Sequence, residues 1–96
     1  MWILQCPEAT FRLTSGATKT IGRAPLADFI LDVALISRMH CRLTATDDNL
    51  EVVDLESTNG TFVNDEPVTT ANLAPGDRLR LGRVELTVEK QDKAQG

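Results

Sequence analysis

The feature that most constrains the fold of this chain is an alternation of polar and apolar side chains with a period of two. Arg78-Leu79-Arg80-Leu81 and the segment from Val84 to Glu89 both show it, as half-buried β-strands do. From Met39 to Ala45 the odd-numbered residues are apolar or small, so we expect them to face a core. The pattern predicts a fold made mainly of strands.

Short strands spaced at about ten residues, and separated by turn signals, are typical of an all-β fold. The turn signals are Asp47-Asp48-Asn49, Asn59-Gly60 and Pro75-Gly76-Asp77. We find no convincing helix, and we predict an antiparallel β-sandwich of two twisted sheets. The other strand candidates are Trp2 to Cys6, Thr10 to Thr14, Thr18 to Ile21, Phe29 to Leu31, Leu50 to Leu55 and Thr61 to Val63.

Length and composition limit the classes of protein that this chain can represent. Its 96 residues suit one domain, expected over residues 1–90, with 91–96 as a disordered tail or the start of a linker. No apolar run reaches the roughly 18 residues that a membrane span needs, and no secretory leader precedes the first strand. We therefore expect an intracellular protein without a membrane partner.

Charge and cysteine content exclude further classes. A net charge of −4 argues against direct nucleic acid binding, which needs a basic face. An anion would have to be bound by local arginines, and Arg23, Arg38 and Arg42 lie near the polar motifs, whereas many acids lie elsewhere in the sequence. Cys6 and Cys41 have no spacing typical of a metal site, so we expect small buried side chains, no metal and no cofactor.

The first polar motif is Ile21-Gly22-Arg23. Its simplest interpretation is a strand that ends in a glycine bend followed by a solvated arginine. In a functional interpretation, Gly22 lets the backbone turn sharply and Arg23 presents a planar fork of donors to phosphate oxygens.

The second motif, Ile36-Ser37-Arg38-Met39-His40, combines a loop hydroxyl with a guanidinium and an imidazole. Ser37 can donate to a phosphate, and Arg38 adds charge. Ser37 and His40 also suggest a small hydrolase, but no acid is evidently placed to orient the histidine. We therefore expect a structural His40 and no enzymatic activity.

The third motif runs from Ser57 to Asn64 and reads Ser-Thr-Asn-Gly-Thr-Phe-Val-Asn. Asn59-Gly60 alone would predict only a tight hairpin turn. That interpretation leaves Thr58, Thr61 and Asn64 unexplained, so the whole segment requires another account.

Together the three motifs resemble those of the forkhead-associated (FHA) domain, a module that binds phosphothreonine. With the segment Leu73 to Gly82, the resemblance extends from Thr18 to Val88. It implies that the partners are phosphothreonine-containing protein segments and that the ligand's methyl group favours threonine over serine. By this resemblance the phosphopeptide-binding residues are Arg23, Ser37, Arg38, Thr58 and Asn59, and the residues that support them are Gly22, His40, Gly60, Thr61 and Asn64.

The resemblance also implies where peptide preference is set. Leu35, in the loop before Ser37, lies near the position that reads the third residue after the phosphothreonine. With leucine there, we expect little preference for an acidic residue. The resemblance further implies that the isolated domain works as a monomer. The remaining alternative is a phosphate-independent interaction or dimerisation domain with the same fold.

The opening Met1-Trp2-Ile3-Leu4, ahead of such a domain, is also similar to the nibrin family of DNA double-strand-break repair proteins. That similarity implies a signalling role in the DNA damage response and a nuclear location.

Overall fold

The computed structural model describes residues 1–91, which form strands and connecting loops without a helix among them. The strands are β1 (Trp2–Cys6), β2 (Ala9–Leu13), β3 (Thr18–Gly22), β4 (Phe29–Ile30), β5 (Cys41–Ala45), β6 (Leu50–Asp54), β7 (Thr61–Val63), β8 (Glu66–Pro67), β9 (Thr70–Leu73), β10 (Arg78–Leu81) and β11 (Val84–Lys90).

The strands form two sheets. One is six-stranded, in the order β2-β1-β11-β10-β7-β8, and the other is five-stranded, in the order β4-β3-β5-β6-β9. Neighbouring strands pair antiparallel, except that β3 and β4 pair in parallel over Ile21↔Phe29 and Gly22↔Ile30. The predicted all-β sandwich is confirmed, with this short parallel pair as an addition.

Strands β8 and β9 were not predicted from the sequence, and both contain few buried apolar side chains. Both residues of β8 are exposed, and in β9 only Leu73 is fully buried. Without alternation there is no periodic signal to read. The remaining strands lie within about two residues of their predicted bounds, as is usual for element ends.

The core lies between the sheets and is built from the alternating positions of the strands. Trp2, Leu43 and Leu79 are buried there, and the Trp2 indole Nε1 donates to the Thr46 carbonyl at 2.9 Å. That bond satisfies a donor that would be costly to bury unpaired. At one edge of the sandwich, two phenylalanines from different sheets stack with ring centroids 4.6 Å apart, Phe11 of β2 and Phe29 of β4.

The prediction that the odd-numbered residues from Met39 to Ala45 face the core is confirmed for Cys41, Leu43 and Ala45, which are buried. It is wrong for Met39. Met39 is only half-buried and His40 is completely buried. The strand begins at Cys41, so the two preceding residues lie in a loop, where alternation does not apply.

The cysteines differ in their surroundings. Cys41 is buried, and burial raises the pKa of its thiol, so it behaves as a small apolar side chain. Cys6 is half-buried rather than buried as expected.

Residue 91 is the last that the structure describes, and its backbone bonds back to the start of β1. The Gln91 N–H donates to the Met1 carbonyl at 2.7 Å. The predicted tail at 91–96 otherwise lies outside the described residues.

Candidate functional site

One end of the sandwich carries a groove with a volume of about 700 Å³. It is formed by three connections: loop 23–28 after β3, loop 31–40 after β4, and loop 55–60 after β6. All five residues predicted to face a ligand line this groove, namely Arg23, Ser37, Arg38, Thr58 and Asn59. Three segments that are far apart in sequence therefore meet at one surface.

Gly22 joins the end of β3 to loop 31–40. A Cβ atom on Gly22 would lie 2.0 Å from the Arg38 carbonyl oxygen, so only glycine fits. The neighbouring backbones are cross-linked, with the Arg23 N–H donating to the Ser37 carbonyl at 2.9 Å and the Ala24 N–H donating to the Arg38 carbonyl at 3.0 Å. Glycine is needed here because two backbones approach closely. The sequence predicts a sharp turn at Gly22, but the φ of Gly22 is not positive.

The Arg23 side chain is held at one nitrogen. Its Nε donates to the Ile36 carbonyl at 3.0 Å, which fixes the plane of the guanidinium and leaves the terminal Nη groups for another acceptor. Arg38 lies exposed on the same groove. Within residues 1–91, neither arginine forms an ion pair with a carboxylate. The groove thus presents two guanidinium groups without a carboxylate partner among the described residues, although Asp32 and Glu56 belong to the same lining.

Ser37 is oriented by the opposite loop. The Thr58 backbone N–H donates to Ser37 Oγ at 2.9 Å. Because a hydroxyl has one hydrogen to donate in addition to its acceptor lone pairs, this bond leaves the Ser37 hydrogen available. The arrangement suits an anion that accepts from a hydroxyl and two guanidinium groups.

His40 is a buried structural link between the two loops. Its Nδ1 accepts from the Ser37 backbone N–H at 3.1 Å, and its Nε2 lies 2.9 Å from the Gly60 carbonyl. An acceptor Nδ1 and a donor Nε2–H define the neutral tautomer. Both ring nitrogens bond to backbone, so neither is available to activate the Ser37 hydroxyl as a nucleophile–base pair requires.

Asn59 and Leu35 meet across the groove. The Asn59 Nδ2 donates to the Leu35 carbonyl at 3.0 Å. Leu35 has a φ of 75°, which is uncommon for a branched side chain, and it remains 43% exposed at the groove. The amide of Asn59 keeps a second N–H and its oxygen for other partners.

Loop 55–60 is held from below by Asp54, which ends β6. Its Oδ1 accepts from Ser57 Oγ at 2.6 Å and from Thr61 Oγ1 at 2.7 Å. Ser57 Oγ in turn accepts from the Gly60 N–H at 3.1 Å. Burial raises the pKa of Asp54, but the hydrogen bonds from Ser57 and Thr61 outweigh it and bring the pKa below its ordinary value. The carboxylate is therefore the form that shapes this loop.

Asp54 was missed because the sequence interpretation grouped it with acids remote from the motifs. A signal was present, since an aspartate three residues before a serine can accept from that serine's backbone and side chain. Glu56 and Asp32 were also missed, and both line the groove. Nothing in the alternation pattern marks these positions.

The other predicted support residues have different surroundings. Gly60 has a φ of 90°, which suits the predicted turn. Asn64 bonds elsewhere: its Nδ2 donates to Asp77 Oδ1 at 3.1 Å and its Oδ1 accepts from the Arg78 N–H at 2.9 Å. These bonds link the turn after β7 to the start of β10, and neither of them reaches loop 55–60. Arg42 does not line the groove.

No helix in residues 1–91 has the length and apolar character to cross a membrane. In the same part of the chain, no group of three or more His, Cys, Asp and Glu side chains gathers as metal ligands would.

The fold and site together define a β-sandwich domain with a polar groove at one end, built by three loops that all begin at strands of the five-stranded sheet. The chain belongs to the forkhead-associated domain family, because the FHA domain model matches residues 19–82. A solved structure from a study of phosphothreonine-dependent FHA domain interactions superposes with a TM-score of 0.87 at 36% identity, over 95% of this chain and 97% of that one.

Two curated relatives are bacterial regulators. The glycogen accumulation regulator GarA of Mycobacterium tuberculosis is 40% identical over 88% of this chain and 54% of its own length. The oxoglutarate dehydrogenase inhibitor of Corynebacterium diphtheriae is 42% identical over 72% of this chain and 48% of its own length. The chain thus spans about half the length of these relatives. They give no support to the predicted nibrin-like identity, DNA damage role or nuclear location, since the relatives come from organisms without a nucleus.

Proposed function

We propose that this chain is a phosphothreonine-dependent protein-interaction module. The observation that carries the proposal is the convergence of Arg23, Ser37, Arg38, Thr58 and Asn59 in one groove with donors left for a ligand.

The chemistry of the groove supports a phosphate ester as ligand. Phosphothreonine carries about −1.5 to −2 charges near neutral pH and presents three acceptor oxygens. The Nη groups of Arg23, the guanidinium of Arg38 and the hydroxyl of Ser37 supply complementary donors, while Thr58 adds a further polar contact. Charge-assisted bonds add about 1.5 to 3 kcal/mol each, but binding entropy offsets much of the sum. The expected affinity is micromolar, about −8 kcal/mol.

Asn59 has a separate role in the proposal. One amide N–H is bonded to the Leu35 carbonyl, and the second N–H with the oxygen can bond to the backbone of an extended peptide. The groove is built within one chain, so we expect a monomer to be sufficient.

The residues at the rim of the groove determine which peptide side chains near the phosphothreonine are favoured. Leu35 is exposed there, and the carboxylates of Asp32 and Glu56 belong to the same lining. An acidic ligand side chain would meet an apolar surface or a like charge, which is unfavourable. We expect little enrichment of aspartate or glutamate at the third residue after the phosphothreonine.

The relatives support a regulatory setting for such a module. GarA is named for regulating glycogen accumulation and the corynebacterial protein for inhibiting oxoglutarate dehydrogenase. We propose that this chain likewise contributes recognition to a bacterial-type signalling protein, and that it has no enzymatic activity of its own.

The test is a calorimetric or fluorescence titration with matched pools of phosphothreonine, phosphoserine and unphosphorylated peptides. Saturable binding of the phosphothreonine pool alone is expected. Arg23→Ala should weaken it by about 2 to 3 kcal/mol, or roughly 30- to 150-fold. Arg42→Ala is the matched control, because Arg42 is exposed on β5 outside the groove, and it should leave affinity unchanged.

A loss of less than threefold in Arg23→Ala would remove Arg23 from the site. Equal binding of all three pools would instead support a phosphate-independent interaction surface on the same fold.

A further inference from the structure

The turn between β10 and β11 contacts two of the three loops that form the groove, loop 31–40 and loop 55–60, although its own residues do not line the groove. A Cβ atom on Gly82 would lie 2.7 Å from the Leu35 carbonyl oxygen and 3.1 Å from the Leu35 Cβ. The Gly82 N–H also donates to the Gly60 carbonyl, at the longer distance of 3.4 Å. At Gly82, loop 31–40 of the five-stranded sheet thus contacts the six-stranded sheet, next to the point where loop 55–60 enters β7.

The Leu35 carbonyl that packs against Gly82 is the same group that holds the Asn59 side chain. It accepts from Asn59 Nδ2 at 3.0 Å. Leu35 keeps an uncommon φ of 75°, a conformation that persists only when the surroundings hold it in place. The absence of a side chain at Gly82 therefore allows the Leu35 carbonyl its observed position. That carbonyl in turn orients the Asn59 amide through their hydrogen bond.

We propose that Gly82 is a positioning residue for Asn59, acting through the Leu35 carbonyl. The proposal rests on the proposed function, in which Asn59 bonds to the peptide backbone. A side chain at position 82 would overlap the Leu35 backbone, which cannot rotate away as a flexible side chain could. Leu35 would shift, and Asn59 would lose or redirect its bond while the arginines kept their own contacts.

Gly76 provides a matched control. It has a φ of 92°, and a Cβ atom there would meet nothing within 4 Å. Gly82 has a φ of 59°, so an alanine at either position carries the cost of a left-handed backbone. Only the alanine at position 82 intrudes on a neighbour. The difference between the two variants isolates the contact with Leu35.

The experiment is a phosphothreonine-peptide titration of the wild type, Gly82→Ala and Gly76→Ala. Loss of one ligand hydrogen bond corresponds to about tenfold in affinity, so we expect about a tenfold loss in Gly82→Ala and less than about twofold in Gly76→Ala. Gly82→Asn is a second variant, since asparagine tolerates the left-handed backbone yet still carries a Cβ; it should show the same loss.

A double-mutant cycle separates positioning from general damage. In an Asn59→Ala background, Gly82→Ala should cost less than about twofold, because the group that it positions is already gone. An unchanged affinity in Gly82→Ala would overturn the proposal, and so would an equal loss with and without Asn59. Failure of both position-82 variants to fold would also overturn it, since Gly82 would then determine the fold. If the wild type does not bind the peptide, it is the proposed function that fails.

Discussion

The two ends of the sandwich differ in what their side-chain hydrogen bonds join: turns that also close on themselves at the far end, and separate loops at the groove. At the end away from the groove, turn 46–49 is closed by its own residues, with the Asn49 N–H donating to Thr46 Oγ1 at 2.9 Å. Turn 74–77 is closed in the same way, with the Ala74 N–H donating to Asp77 Oδ2 at 2.8 Å. Each of these bonds spans three residues of sequence.

At the groove end, side-chain bonds within the loops, such as that between Gly60 and Ser57, are joined by others that connect different loops. The pairs Ser37–Thr58, His40–Gly60 and Leu35–Asn59 are separated by 21, 20 and 24 residues. Each far turn thus has a closing bond among its own residues, although Trp2 also bonds to the Thr46 carbonyl and Asn64 to Asp77. The groove, by contrast, exists only when β3, β5 and β6 have brought its loops together, so its shape depends on the whole fold.

The largest expected effect is that of Gly22→Ala. The added Cβ would lie 2.0 Å from the Arg38 carbonyl oxygen, and this overlap should lower the free energy of unfolding by about 3 kcal/mol. Urea denaturation measures it. Gly16→Ala is the control at the other end, with open space around its Cβ, and it should cost only about 1 kcal/mol. Equal losses in the two variants would contradict the account of Gly22.

A smaller effect is expected for Thr61→Val compared with Thr46→Val. Thr61 is 1% exposed and donates to Asp54, so its loss should cost about 1 to 3 kcal/mol and weaken peptide binding through loop 55–60. The Thr46 side chain is exposed and, among residues 1–91, bonds only to Asn49 in its own turn. Replacing it should cost about 1 kcal/mol or less and leave binding unchanged. A binding defect in Thr46→Val would break the distinction between the ends.

The smallest expected effect is the pH dependence contributed by Asp54. Its pKa is below its ordinary value of 3.8 in the folded protein, so its contribution to stability is fully present above that value. The contribution is lost as pH falls through the folded pKa. The difference in unfolding free energy between wild type and Asp54→Asn should therefore be constant from about pH 7 to 5 and shrink below 3.8. A difference that stays constant to about pH 3 would contradict the hydrogen-bonded carboxylate.

The sequence predicted the parts of this molecule whose signals are local. Alternation identified strands such as β10 and β11, and turn residues identified 47–49 and 75–77. It failed for β9, where a single buried Leu73 offers no period. The five ligand-facing candidates came from a family resemblance and remain predictions as binding residues, although the structure brings them to one groove.

The links that hold the groove could not be predicted from spacing. His40 was expected to be structural, and within its own loop it accepts from the Ser37 N–H. Its second bond reaches Gly60 in another loop, and no sequence periodicity encodes a contact between loops. The same holds for Gly82 against Leu35, where the decisive property is the absence of a side chain at a contact that only the fold creates.

The most direct test of the central claim is an NMR titration of the isotope-labelled chain with a phosphothreonine peptide and its unphosphorylated counterpart. The account predicts that the phosphorylated peptide shifts the amides of Arg23, Ser37, Arg38, Thr58 and Asn59 and leaves turns 46–49 and 74–77 unmoved, while the unphosphorylated peptide shifts neither end. Shifts centred on the far turns, or the same shifts from both peptides, would contradict it.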